Sequence, residues 1–126
     1  REKVKVIKNN LIGQIETING LNFIAAKVDL DSADAIKDLA FAIDEKTENL
    51  FLVLGAEVNK KATLTVMISK NIVKDKNLDA AKIIKELSKE IQGGGGGQPF
   101  YATSGGTNVA GIEKALAKAK EFLGTN

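Results

Sequence analysis

With 126 residues, 44% of them hydrophobic and 27% charged, the chain is long enough for one domain with a core of its own and too apolar for disorder. It has neither Cys nor His, which excludes disulfides, thiol redox chemistry, imidazole bases, Ser–His and Cys–His nucleophile pairs and the usual zinc ligands. The net charge of +2 is unevenly spread: residues 1–59 carry 7 basic and 10 acidic side chains, residues 60–126 carry 11 and 6, so an anionic partner would be drawn to the second half. A solvated lysine surface is the competing reading. No apolar run approaches the ~20 residues of a membrane span, and the N-terminus has no signal-peptide pattern. A cytoplasmic setting fits the cysteine count. Carboxylates alone could hold Mg²⁺, but no tight cluster with ligand spacing stands out, so neither catalytic nor metal-binding residues are assigned.

Val4, Ile7, Leu11 and Ile15 lie at helical spacing, with Gly13 as a stop, and the pattern begins without an N-cap. Residues 1–14 therefore read as the tail of a longer linker helix, and the chain as a fragment whose globular domain is 15–126. Asn19-Gly20 between two β-branched runs predicts a hairpin whose second arm is Leu21 to Val28. Asp31-Ser32 then caps a helix carrying Ala33, Ile36, Leu39, Ala40 and Ile43 inward and ending near Lys46. Its early aspartates, Asp31, Asp34 and Asp38, suit the helix dipole without a metal. The unbroken apolar run of residues 49–58 predicts a strand buried on both faces, and alternation from Ala62 to Ser69 predicts its antiparallel partner. Residues 70–76 read as a lysine-bearing loop. Residues 78–91 read as a helix capped by Asn77 or Asp75, and 108–123 as a last helix capped by Thr107 or Asn108.

Between those helices lies the stretch on which a functional reading turns: five glycines (Gly93, Gly94, Gly95, Gly96, Gly97), then Gln98-Pro99-Phe100-Tyr101-Ala102-Thr103-Ser104, then Gly105-Gly106. Glycine lets a ligand approach the main chain closely, and exposed N–H groups suit phosphate oxygens or polar base edges. Composition alone favours a flexible linker instead. The short run, the lack of serine within it and the Pro-aromatic-aromatic frame behind it argue against one. Phe100 and Tyr101 could stack on a base; for Phe100 the hydrophobic core is the favoured place. The expected architecture is α/β or α+β in one domain, a small mixed sheet of about three to five strands packed by about three helices, with the glycine stretch as a loop at its rim.

The order helix, glycine run, proline, short apolar segment, Gly-Gly, helix resembles the DHHA1 domain family, most closely the C-terminal domains (C-Ala) of alanyl-tRNA synthetases. Gly93 to Gly97, Pro99, Ala102 and Gly105-Gly106 carry the resemblance, supported upstream by Val66 to Ser69 and Ala80-Ala81. Gln98 replaces a commonly basic residue, Phe100 a usual Asp and Thr103 a usual Gln. The related substrate-binding lobes of DHH phosphodiesterases carry a His after the glycines that is absent here.

The resemblance implies a tRNA-binding module that is non-catalytic by itself. It would grip the elbow of tRNA, alanine tRNA in the first instance, and link aminoacylation with editing in an ATP-dependent ligase. ATP, Mg and Zn are then expected for the parent enzyme and no cofactor for this domain. The expected partners are tRNA, upstream domains of the same polypeptide and a second copy in a homodimer, with no membrane. The residues carried over or added as RNA contacts are Gly93, Gly94, Gly95, Gly96, Gly97, Gln98, Tyr101 and Thr103, with Lys70, Lys74, Lys85 and Lys89 for charge. Bulky residues at Gly95 and Gly96 are expected to weaken tRNA binding without unfolding the domain. A phosphodiesterase lobe and an oligomerisation module are the alternatives.

Overall fold

The computed structural model describes residues 2–124; Arg1, Thr125 and Asn126 lie outside them. A helix, α1 (Glu2–Ile12), leads into the hairpin β1 (Glu16–Ile18) and β2 (Leu21–Lys27). Asn19 and Gly20 take positive φ at its tip, the geometry that matches the twist of the two strands. Helix α2 (Ala33–Lys46) starts where the Ser32 hydroxyl accepts the Ala35 N–H, and it carries the chain back to β3 (Leu50–Val58). Strand β3 runs parallel to β2, so a crossover helix between them is required. A tight turn at Asn59-Lys60 reverses it into the antiparallel β4 (Lys61–Ile68).

The remaining segments depart in part from the sequence reading. Residues 70–76 form a short helix, α3 (Lys70–Lys76), because Ile72 is buried in the core cluster that includes Phe51, Ile68 and Ile83 and holds the turn in place. Helix α4 (Ala80–Leu87) is shorter than expected: Asp79, neither Asn77 nor Asp75, caps it by accepting the N–H groups of Ala81 and Lys82. Residues Ser88–Ile91 tighten into a 3₁₀ turn. The glycine run is a strand, β5 (Gly93–Gln98), hairpinned to β6 (Tyr101–Gly106). The last helical stretch divides into a 3₁₀ turn at Val109–Gly111, α5 (Ile112–Ala119) and a second 3₁₀ turn. Among the described residues there are thus six strands and five α-helices. The class is the α+β mixed sheet expected, enlarged because the glycine run joins it.

The sheet order is β1-β2-β3-β4-β6-β5. One face packs α4 and α5 on Phe23, Phe51, Val53, Leu64, Val66 and Ala102, with Phe23 and Phe51 edge to face at 5.6 Å. The other packs α2, with Leu11 of α1, on Ile24, Leu50, Leu52, Leu54 and Met67. Strand β3 is therefore covered on both sides, as its unbroken apolar run requires. On this second face coverage ends toward β6 and β5, and there the sheet faces solvent, whereas α4 still packs against both strands on the first.

Candidate nucleic-acid interface

Strand β5 is held by one neighbour. It pairs with β6 from Gly93↔Gly106 to Gln98↔Tyr101, and its other edge is unpaired in the sheet. The turn between the two strands is fixed by two backbone bonds: the Ala80 N–H donates to the Pro99 carbonyl at 2.7 Å and the Ile68 N–H to the Phe100 carbonyl at 2.9 Å. A strand without side chains is thus seated through its backbone and its turn.

Alternate glycines meet different surroundings. A Cβ on Gly93, Gly95 or Gly97 would come within 2.6, 2.5 and 2.7 Å of the Cα atoms of Gly106, Ser104 and Ala102, so β5 lies too close to β6 for any side chain there. At Gly94 and Gly96 a Cβ would meet nothing within 4 Å. The fold requires the first three glycines and is indifferent to the other two. The expectation that Gly95 could be enlarged without harm to the fold is therefore corrected; Gly96 keeps it.

Register then defines a surface. Directly opposed residues of antiparallel strands share a face, which groups Gly94 with Gly105, Gly96 with Thr103 and Gln98 with Tyr101, continuing through Thr65 and Met67 of β4. Tyr101 and Met67 belong to the core on the α2 side, so this is the α2 face of the sheet, beyond the helix's cover. Gly94, Gly105, Gln98 and Thr103 are exposed there. Tyr101 is half-buried, its ring 5.3 Å from Phe41 of α2. Burial raises its phenol above the ordinary value of 10.0, so it stays a neutral donor and acceptor at physiological pH.

The lysines divide into groups. Lys70 opens α3 with its ammonium 4.7 Å from the centre of the Phe100 ring, at the end of the β5–β6 hairpin. Phe100 is consequently half-buried beneath a cation and lies outside both cores, contrary to the expectation that favoured the core. Lys74 is exposed one turn along α3. Lys85 and Lys89 follow from α4 and its 3₁₀ extension, which pack on the opposite face from Tyr101 and Thr103. Lys85 borders a groove of about 620 Å³ with Val73 and Pro99. Lys89 reaches both Glu86 carboxylate oxygens at 3.2 Å, which neutralises part of its field. The twelve expected residues thus do not form one patch. Five of them (Gly94, Gly96, Gln98, Tyr101, Thr103) share a face; Gly93, Gly95 and Gly97 build the strand; and the lysines frame the hairpin.

Three neighbours escaped the sequence reading: Phe41, Lys37 and Thr65. Phe41 left a usable signal, an aromatic on α2 outside the stripe of Ile36, Leu39, Ala40 and Ile43. Among the described residues no group of three or more Asp, Glu, His or Cys could hold a metal ion.

The DHHA1 domain family matches residues 20–125. The alanine–tRNA ligase of Christiangramia forsetii is 51% identical over 123 residues, covering 98% of this chain and 14% of that protein. That of Cytophaga hutchinsonii is 48% identical over 97% of this chain and again 14% of its own length. The chain therefore spans about a seventh of the relatives it matches. In three dimensions it is similar to the C-Ala domain of Aquifex aeolicus alanyl-tRNA synthetase, with a TM-score of 0.76 at 22% identity over 86% of this chain and 96% of that one.

Proposed function

The chain belongs to the DHHA1 domain family, and from that premise we propose that it serves as the C-terminal tRNA-binding domain of an alanine–tRNA ligase. It grips the elbow of the tRNA and so holds aminoacylation and editing on one substrate. The ligase activity, with its ATP, Mg and Zn, belongs to upstream domains of the same polypeptide, and the setting is the cytoplasm. Among the described residues no helix is long and apolar enough to cross a membrane.

One observation carries the reading: Gly94 and Gly96 lie on an open face beside Thr103 and Gln98, although nothing in the fold asks for glycine there. Glycine within a strand costs about 0.5–1 kcal/mol relative to Ala. Close approach of another molecule to the main chain explains that cost. The backbone of β5 contacts RNA phosphates or loop bases, Gln98 and Thr103 add polar contacts, and Lys70 and Lys74 supply charge from the hairpin end. Lys85 and Lys89 reach RNA only where it wraps over the strand edge, and Lys89 contributes least while it holds Glu86. A second copy would use the open edge of β5 or α1.

The test is binding of the chain to intact tRNA, to a minihelix lacking the elbow and to a short oligonucleotide, across salt. Binding of intact tRNA with loss on the minihelix supports an elbow grip. Equal binding of the short oligonucleotide supports the phosphodiesterase-lobe alternative. No RNA binding, with a concentration-dependent mass, leaves an oligomerisation module.

A further inference from the structure

The first turns of α2 and the outer strands enclose a cavity of about 340 Å³ lined by Asp34, Ile36, Lys37, Thr65, Tyr101 and Thr103 among others. That volume lies at the low end of the ~300–1,000 Å³ that small ligands occupy. One wall is the Tyr101 ring; Phe41, outside the lining, backs that ring and is 39% exposed, with the Lys37 ammonium 6.0 Å from its own ring centre. The rim is polar, with one carboxylate, one ammonium and the exposed Thr103 hydroxyl. Thr103 is also the partner of Gly96 across the strands, so the cavity opens directly onto the glycine face.

Charge decides what fits. At the cavity Asp34 and Lys37 offset one another, and Asp44 and Glu45 lie at the far end of α2, so no net positive side-chain charge there calls for a phosphate. A flat, neutral, hydrogen-bonding ring needs none. It would stack on Tyr101, offer an amino group to Asp34 and accept from Lys37. We propose that this cavity receives a single unstacked RNA base, while the sugar–phosphate chain runs over Gly94 and Gly96. The assignment rests on the RNA-binding reading above and adds to it a base pocket and three residues, Asp34, Lys37 and Phe41. Single-stranded loops expose such bases, and aromatic side chains are the usual surface on which proteins take them.

Tyr101 is the chain's one tyrosine, and there is no tryptophan, so its emission reports this cavity directly. The experiment titrates the chain with intact tRNA and with a short single-stranded oligoribonucleotide, following RNA anisotropy and tyrosine fluorescence together. An abasic oligomer of equal length serves as the control. The expected result is saturable quenching by the base-bearing RNAs, in step with binding, and none by the abasic oligomer. Tyr101→Leu, read by RNA anisotropy, should bind about tenfold more weakly or worse. Its melting temperature, measured alongside, separates lost stacking from lost fold. Binding with unchanged tyrosine emission overturns the base pocket and leaves the glycine face standing. Absence of binding by every RNA overturns both.

Discussion

Strands β3 and β5 lie in one sheet and are held there by opposite means. Residues Leu50 to Ala56 of β3 are buried by helices on both faces, and its position follows from its own side chains. Strand β5 has none to offer along Gly93–Gly97. Its position follows from the backbone of β6, the pinned turn at Pro99-Phe100 and the steric need for glycine at alternate positions. A strand placed by its neighbours has a surface free for other use. From Leu50 to Ala56 every residue of β3 is committed to the fold; from Gly93 to Gly97 of β5 every second one is.

Four substitutions test how deep that contrast runs. The largest effect is expected for Leu52→Ala, which empties a fully buried site and should cost about 2–5 kcal/mol by chemical denaturation. Gly95→Val drives a side chain into the β6 backbone and should cost about 1–3 kcal/mol, with loss of RNA binding as β5 detaches. Its neighbour Gly96→Val should leave stability unchanged or raise it by up to about 1 kcal/mol, since glycine is poor in strands, while RNA affinity falls. A Gly96→Val variant that melts as early as Gly95→Val would erase the distinction between the two glycine sets. The smallest effect concerns Asp44 on α2. Its carboxyl is raised above 3.8 by burial and then by Glu45, against the lowering influence of Lys70. A folded pKa above the unfolded one means that the stabilising contribution is complete below about pH 3.8 and is lost as pH rises through the folded value. Asp44→Asn should therefore melt slightly above the parent near pH 7 and level with it near pH 3. A constant offset across pH would rule out the burial of that charge as the cause.

The same contrast marks what the sequence made legible. The Asn19-Gly20 hairpin, the Ser32 cap with its helix, and the doubly buried strand after Asn49 all follow from local pattern, because in each the chain's own side chains choose the conformation. Residues 70–76 hid a helix, since one buried Ile72 among lysines carries no periodicity. The glycine run hid a strand for a deeper reason: with no side chains there is no alternation to read, and the partner that gives it structure is encoded in the segment after it, Tyr101–Gly106. For the candidate site, the residue types and the frame of Pro99, Ala102 and Gly105-Gly106 were readable. Which glycines face outward was not, because that depends on register with β6. Nor was the separation of Lys85 and Lys89 from Tyr101 and Thr103, which only the two-faced packing of the sheet reveals.

The sheet order has a consequence in time. Strand β6 lies between β4 and β5, so the glycine run, although it precedes β6 in the chain, has no partner strand until β6 follows it. During folding it waits, unpaired, for a segment that follows it. An apolar strand in that position would be a template for misassociation with other chains. Five glycines wait harmlessly, since they have no side chains with which to bind a wrong neighbour. Once β6 arrives, only a short hairpin remains to close, an entropically small step. The surface best suited to meeting another molecule is thus also the part of the sheet with least power to seek a partner of its own.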